Sequence, residues 1–95
     1  GPFNKDYLTV FPSGTKLLDI NIKKEEELCI VDLSPEVKNV ADLQQARQIV
    51  ESIAHTLGQF STIKKVKILI AGQDIETIPE FSAVAPQLKN QLEFL

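Results

Sequence analysis

The sequence predicts an α+β domain: a three- to four-stranded mixed sheet with one or two helices packed on one face, in the order β-β-β-α-β-α. Three observations predict it. Residues 16–23 and 65–70 alternate apolar and polar side chains with the period of two of a half-buried strand. Residues 41–58 repeat apolar positions at helical spacing. The run from Leu28 to Leu33 is apolar on both faces, as a central strand is. With 95 residues, the chain has room for one domain, spanning 1–95, and for one helix-on-sheet core.

The elements follow in chain order. Tyr7 to Phe11 is β-branched and aromatic like a short strand, and Pro12-Ser13-Gly14 interrupts it with turn chemistry. From Lys16 to Lys23, Leu18, Ile20 and Ile22 share one face, with Asp19, Asn21 and Lys23 on the other. Lys24-Glu25-Glu26-Glu27 is too polar for a core, so a hairpin joins this strand to Leu28–Leu33, where Cys29, Val31 and Leu33 point inward and Leu28 and Ile30 await another cover.

In the helix, Leu43, Ala46, Val50, Ile53, Ala54 and Leu57 form one stripe, flanked by Ile49 and Phe60. Asn39 is the expected N-cap, with Asp42 three residues on, and Gly58 stands where a left-handed C-terminal residue is expected. In the next strand Val66, Ile68 and Ile70 oppose Lys65 and Lys67, and Ala71-Gly72-Gln73-Asp74 turns the chain. A short return strand over Ile75–Ile78 follows. Pro79 then breaks pairing, and Val84, Leu88, Leu92 and Leu95 suggest a terminal helix with Pro86 in its first turn. The strand-helix-strand order from Leu28 to Ile70 reads as a right-handed crossover, which sets the helix on one sheet face.

Composition narrows the function. A formal net charge of −3 works against a polyanion partner, so no nucleic acid is expected. The basic cluster Lys64, Lys65 and Lys67 lacks the Gly-x-x-Gly clamp of a KH-type module and reads as a solubilising strand edge. No apolar run approaches the ~18 residues of a membrane span, so contact with a membrane is expected only through an anchor outside these residues. Gly1 opens no leader sequence, and a lone Cys29 leaves the redox compartment open.

Cys29, Asp32 and His55 are the residues from which a nucleophilic site would have to be assembled. His55 falls opposite the apolar stripe, near Gln48, Glu51 and Gln59, whereas Cys29 points into the core, so the helix would separate them. One His and one Cys without clustered carboxylates do not make a zinc set, and Glu25-Glu26-Glu27 has no calcium-loop spacing. No catalytic residue, metal or cofactor is therefore expected. The helix's outer face is polar but nearly uncharged, with Gln44, Gln45, Gln48, Ser52, His55 and Gln59, and charge depletion marks interface cores. The candidate interface is Gln44, Gln48, Ser52, His55 and Gln59 on the helix, with Lys65 and Lys67 on the strand.

Three segments in fixed order carry a resemblance: Phe11-Pro12-Ser13-Gly14-Thr15-Lys16-Leu17-Leu18, then Val31-Asp32-Leu33-Ser34, then Thr56-Leu57-Gly58-Gln59-Phe60 followed by Ile63 to Ile70. Across roughly residues 8–73 the chain resembles the sporulation and spore-germination domain called GerMN, which is similar to ring-building motifs. In this resemblance Thr56, Leu57 and Phe60 close the helix onto the sheet. The chain departs where the family commonly has Asp-Gly and Ala71-Gly72 stands here. The family's Gly-Pro pair precedes the Pro-x-Gly-Thr segment, so a native Gly1-Pro2 would mean a domain truncated at its N-terminal end.

The resemblance implies a non-enzymatic, extracytoplasmic module of a bacterial envelope complex, often lipoprotein-anchored. Its expected partner is a protein of that complex, with self-association by strand addition or subunit stacking as one form. The alternative is an accessory domain that binds a cell-wall or small-molecule ligand on the sheet face of Leu28 and Ile30.

Overall fold

The computed structural model describes residues 10–88. Its regular elements are β1 (Leu17–Lys23), β2 (Leu28–Leu33), α1 (Leu43–Leu57), β3 (Lys65–Ile70), β4 (Gln73–Asp74) and α2 (Pro79–Ser82). The strands form one mixed sheet in the order β1-β2-β3-β4, antiparallel except for the parallel β2/β3 pair that α1 connects. This is the α+β architecture the pattern predicts.

The core follows from the two strands beneath α1. Cys29, Val31 and Leu33 of β2 lie in register with Val66, Ile68 and Ile70 of β3, and all six are buried against Ala46, Ile49, Val50, Ile53 and Leu57 of α1. Removing these side chains from water is the main term favouring the fold. Leu28 and Ile30, on the other side of β2, are half-buried.

β1 departs from the predicted half-buried strand, since every one of its residues is exposed. Its register with β2, Ile20 opposite Val31 and Ile22 opposite Cys29, places both isoleucines on the α1 side of the sheet. They are uncovered because α1 sits over β2 and β3. A bulge between Leu17 and Asp19 shifts the register at the start of the strand. The predicted hairpin is present, and a 3-10 turn over Lys24–Glu26 ends in a left-handed Glu27 with φ of 54°.

Both ends of α1 differ from expectation. Asp42, not Asn39, is the N-cap: its carboxylate accepts from the Gln45 amide at 2.9 Å, and the Gln45 side chain accepts from the Ala41 amide at 2.7 Å. Asn39 is engaged earlier, where its amide donates to the Glu36 carbonyl at 3.0 Å and closes the turn over Pro35–Lys38. Leu43, at the first helical position, is 56% exposed rather than part of the buried stripe. Gly58 is right-handed, with φ −67° and ψ −11°, because further turns at Phe60 and Ile63 carry the chain onward from the helix. Phe60, expected to close the helix onto the sheet, is exposed.

After β3 the return strand is shorter and earlier than predicted. It spans Gln73–Asp74, because Asp74 then caps a 3-10 turn over Ile75–Thr77 by accepting from the Glu76 amide at 2.9 Å. Pro79 opens the four-residue α2 at its first position, where a missing amide is harmless. Ile75, Ile78, Phe81 and Val84 extend the core, and a 3-10 turn occupies Pro86–Leu88, where the first turn of the terminal helix is expected. Val10 and Phe11 form a turn and a bend rather than a strand. Tyr7 to Thr9, Leu92 and Leu95 lie outside the described residues.

Candidate functional site

The first two sequence segments that stand out meet the turn after β3 at one end of the sheet, and polar side chains tie them together. Thr15 donates its hydroxyl to the Pro12 carbonyl at 2.6 Å, closing the entry turn. Gly14 there has φ of +85°, and a Cβ added to it would meet Glu36 Cγ at 3.3 Å, so both conformation and space favour glycine. Ser34 is buried and couples the start of β1 to the end of β2. Its amide donates to the Lys16 carbonyl at 2.8 Å, and its Oγ accepts from the Lys16 amide at 2.8 Å. Asp32 accepts from the Gly72 amide at 3.0 Å, which holds the turn where Ala71 and Gly72 both have positive φ. These are scaffolding roles.

Glu36 belongs to the same knot. A hydrogen bond from the Ser34 hydroxyl and one from its own backbone amide hold its carboxyl below the usual value against desolvation, with the charge of Lys16 adding least.

On α1, Gln44, Gln48 and His55 form an exposed outer ridge, and Gln59 continues it past the helix end. Ser52 does not belong to it: the residue is 8% exposed. Ser52 follows Gln45 by seven residues and so shares its flank, where the Gln45 side-chain amide donates to the Val10 carbonyl at 2.9 Å. The opposite flank is bound through Arg47 to Gln87. Only the top of the helix stays open.

Lys65 and Lys67 are exposed, but on the other side of the sheet from α1, in register with Leu28 and Ile30. Lys67 lies 3.9 Å from Asp74, an open ion pair of small energetic weight. The predicted interface residues are therefore not one surface. They make two, on opposite faces of a two-layer domain.

The apolar cavity also lies away from its expected place. A groove of about 510 Å³ runs between β1 and α1, lined by Phe11, Leu17, Ile20, Leu33, Ile53 and Leu57 among others, and neither Leu28 nor Ile30 lines it. Its signal in the sequence is the apolar row of β1, whose lack of cover no local pattern records. Among the described residues Lys16 is the one charged side chain lining this groove, so the lining offers mainly apolar contact.

Cys29 is fully buried between sheet and helix, and burial pushes its thiol up, away from a reactive thiolate. His55 is exposed on the outer side of α1, so the helix stands between them as expected. Among the described residues, no three His, Cys, Asp or Glu side chains are grouped to hold a metal ion, and no helix is long and apolar enough to cross a membrane.

Comparisons with known proteins converge. The family model described as Germane, sporulation and spore germination, matches residues 1–76. The spore germination protein GerM of Bacillus subtilis (strain 168) is 37% identical over 73 residues, which is 77% of this chain and 19% of that protein. The structure of its tandem GerMN domains superimposes with a TM-score of 0.65 at 38% identity, covering 74% of this chain and 24% of that one. Its first GerMN domain gives 0.63 at 38% identity, over 74% of this chain and 50% of that one. A candidate lipoprotein from Clostridium perfringens gives 0.59 at 31% identity, over 67% and 42%. The chain thus spans about a fifth of the length of GerM.

Proposed function

The chain belongs to the Germane family of sporulation and spore-germination domains, and on that premise we propose that it is a non-enzymatic, extracytoplasmic module that assembles a protein complex of the bacterial envelope. The observation that carries this reading is the exposed ridge of Gln44, Gln48 and His55, a helix surface open to a partner that carries a single, half-exposed carboxylate, Glu51, and no amine. Charged side chains are depleted from interface cores because their desolvation is costly. The exposed Lys65 and Lys67 on the far face give the domain a second contact side, so one copy can bridge two neighbours. Similarity to GerM and to a candidate lipoprotein supports an envelope location, with any membrane attachment made by an anchor outside these residues.

The test is capture of envelope proteins from a sporulating culture on the immobilised domain, with Gln44→Glu/Gln48→Glu as control. Specific retention of a membrane-anchored protein, lost in the control, is the expected result. Equal retention by both would overturn the reading.

A second reading rests on the groove between β1 and α1, whose volume suits a small apolar ligand. If the domain instead binds a cell-wall or small-molecule component there, that compound will raise the thermal midpoint in proportion to the logarithm of its concentration. Introducing Ile20→Glu at the groove should abolish the shift.

A further inference from the structure

Among the described residues the outer edge of β1 is an unprotected strand edge. All 7 residues of this strand are exposed, and among the described residues it pairs with β2 alone. Long exposed edges are templates for pairing with another chain. Which groups β1 offers can be worked out from its neighbour. The Ala71 amide donates to the Leu33 carbonyl at 2.8 Å and the Lys65 amide to the Glu27 carbonyl at 3.1 Å, so the odd-numbered residues of this stretch turn their backbone toward β3. By the alternation of an antiparallel ladder, Leu28, Ile30 and Asp32 then bond to their register partners Lys23, Asn21 and Asp19. Ile20 and Ile22 are left aiming their N–H and C=O groups at the open edge.

A second β1 meeting this edge antiparallel must match outward groups to outward groups. The registers that do so bring Ile20 to Ile20, Ile20 to Ile22, or Ile22 to Ile22. Side-chain charge separates them. Centring on Ile22 sets Asn21 against Lys23, gains no ion pair, and leaves Asp19 beyond the end of the partner strand, which turns away over Lys24–Glu26. Centring on Ile20 sets Asp19 against Asn21 and gains no ion pair. Centring on Asn21 sets Asp19 of each copy against Lys23 of the other, stacks Ile20 against Ile22 twice on the α1 side, and brings the two Asn21 side chains together on the open face.

We propose that β1 is a self-recognition edge, through which two copies of this domain pair antiparallel about Asn21 with reciprocal Asp19 to Lys23 contacts. The contact is isologous, each copy giving and receiving the same groups. It joins two sheets into one continuous sheet and places the two apolar grooves side by side. The inference deepens the assembly reading above and rests on it for its biological setting. A ladder of roughly five positions buries well under the ~800 Å² per partner of a standard stable complex, so the dimer forms at high concentration or when copies are held close together.

Sedimentation equilibrium on the folded domain, from about 10 μM to about 2 mM at low salt, tests it over the range in which so small an interface fills. Reversible dimerisation is expected, weakened at least about tenfold by either Asp19→Lys or Lys23→Asp alone and restored by the two together, because the swap rebuilds the pairs in the same register. Ile20→Pro, which removes an outward amide, should abolish dimerisation while circular dichroism shows the fold retained. A domain monomeric throughout the range, an Asp19→Lys variant that dimerises like the parent, or a folded double swap that fails to recover would each overturn the proposal. Envelope-protein capture that persists in a strictly monomeric domain removes this edge alone. Loss of selective capture with dimerisation intact removes the partner-assembly reading alone.

Discussion

β1 and β3 carry the same kind of message and meet opposite fates. Each alternates an apolar row with a polar one, and the two rows point to the same side of one sheet: Ile22, Cys29 and Val66 lie in one cross-strand register, and Ile20, Val31 and Ile68 in the next. Yet Val66 and Ile68 are 6% and 3% exposed, whereas Ile22 and Ile20 are 51% and 46% exposed. Strands are spaced about 4.8 Å apart and a helix is about 10 Å across, so one helix covers two strands. α1 covers β2 and β3 and leaves β1 outside. Alternation tells which side of a sheet a residue faces; the position of the helix decides whether that side is dry.

The largest effect that could break this comparison is a matched truncation. Ile68→Ala empties a buried site under α1 and should cost about 3 kcal/mol in urea unfolding, in the range for buried isoleucines. Ile20→Ala, two strands away in the same row, should cost about 0.5 kcal/mol or less. Similar costs would mean that something in the chain covers β1 as firmly as α1 covers β3.

Next in size is the tether that holds β1 despite its lack of cover. Ser34 is buried and bonds the Lys16 amide, so Ser34→Ala leaves that amide without its partner at the price of about 1–2 kcal/mol. The loss should be local. Amide hydrogen exchange in β1 is expected to quicken more than in β3, and uniform quickening would show that Ser34 serves the whole core instead.

How much of this was legible in the sequence depends on whether the deciding contact is local. The hairpin, the inward set Cys29, Val31 and Leu33, the helix and the β3 alternation are local periodicities, and each is found in the structure. Helical spacing sets Ser52 outward, yet it is buried on the flank it shares with Gln45. Asn39 and Asp42 are both able caps, and a 3-10 turn over Pro35–Lys38 used the first, leaving the second. Polarity groups Lys65 and Lys67 with the glutamine ridge, while the parallel β2/β3 crossover puts them on opposite faces. Asp32 and Ser34 stood out as members of a motif. Their bonds to Gly72 and Lys16 span 40 and 18 residues, so no local pattern could assign them.

A smaller change sharpens the comparison at the far end of β3. Ala71 has φ of 49°, a left-handed conformation that a side chain makes costly, and Asp32 holds the turn through Gly72. Ala71→Gly should stabilise the domain by about 0.5 kcal/mol, the relief of strain being partly offset by the greater freedom of glycine in the unfolded chain. Thermal melts would show a raised midpoint, and a lowered one would mean that the Ala71 methyl makes contacts worth more than the strain.

The smallest effect is electrostatic and sits at the entry to β1. The Ser34 hydroxyl holds the Glu36 carboxyl below its usual 4.5, so folding favours the charged form. A folded-state pKa below the unfolded one adds stability above about 4.5, and that contribution disappears as pH falls through the folded value. Glu36→Gln should therefore lower the thermal midpoint slightly near neutrality, and the gap from the parent should close on acidification. In a Ser34→Ala background the same substitution should change the pH profile much less, because the leading cause of the shift is gone. A gap that stays constant down to about pH 3 would instead trace the Glu36 effect to its packing against Gly14, leaving β1 tethered by the Lys16 to Ser34 bonds without help from charge.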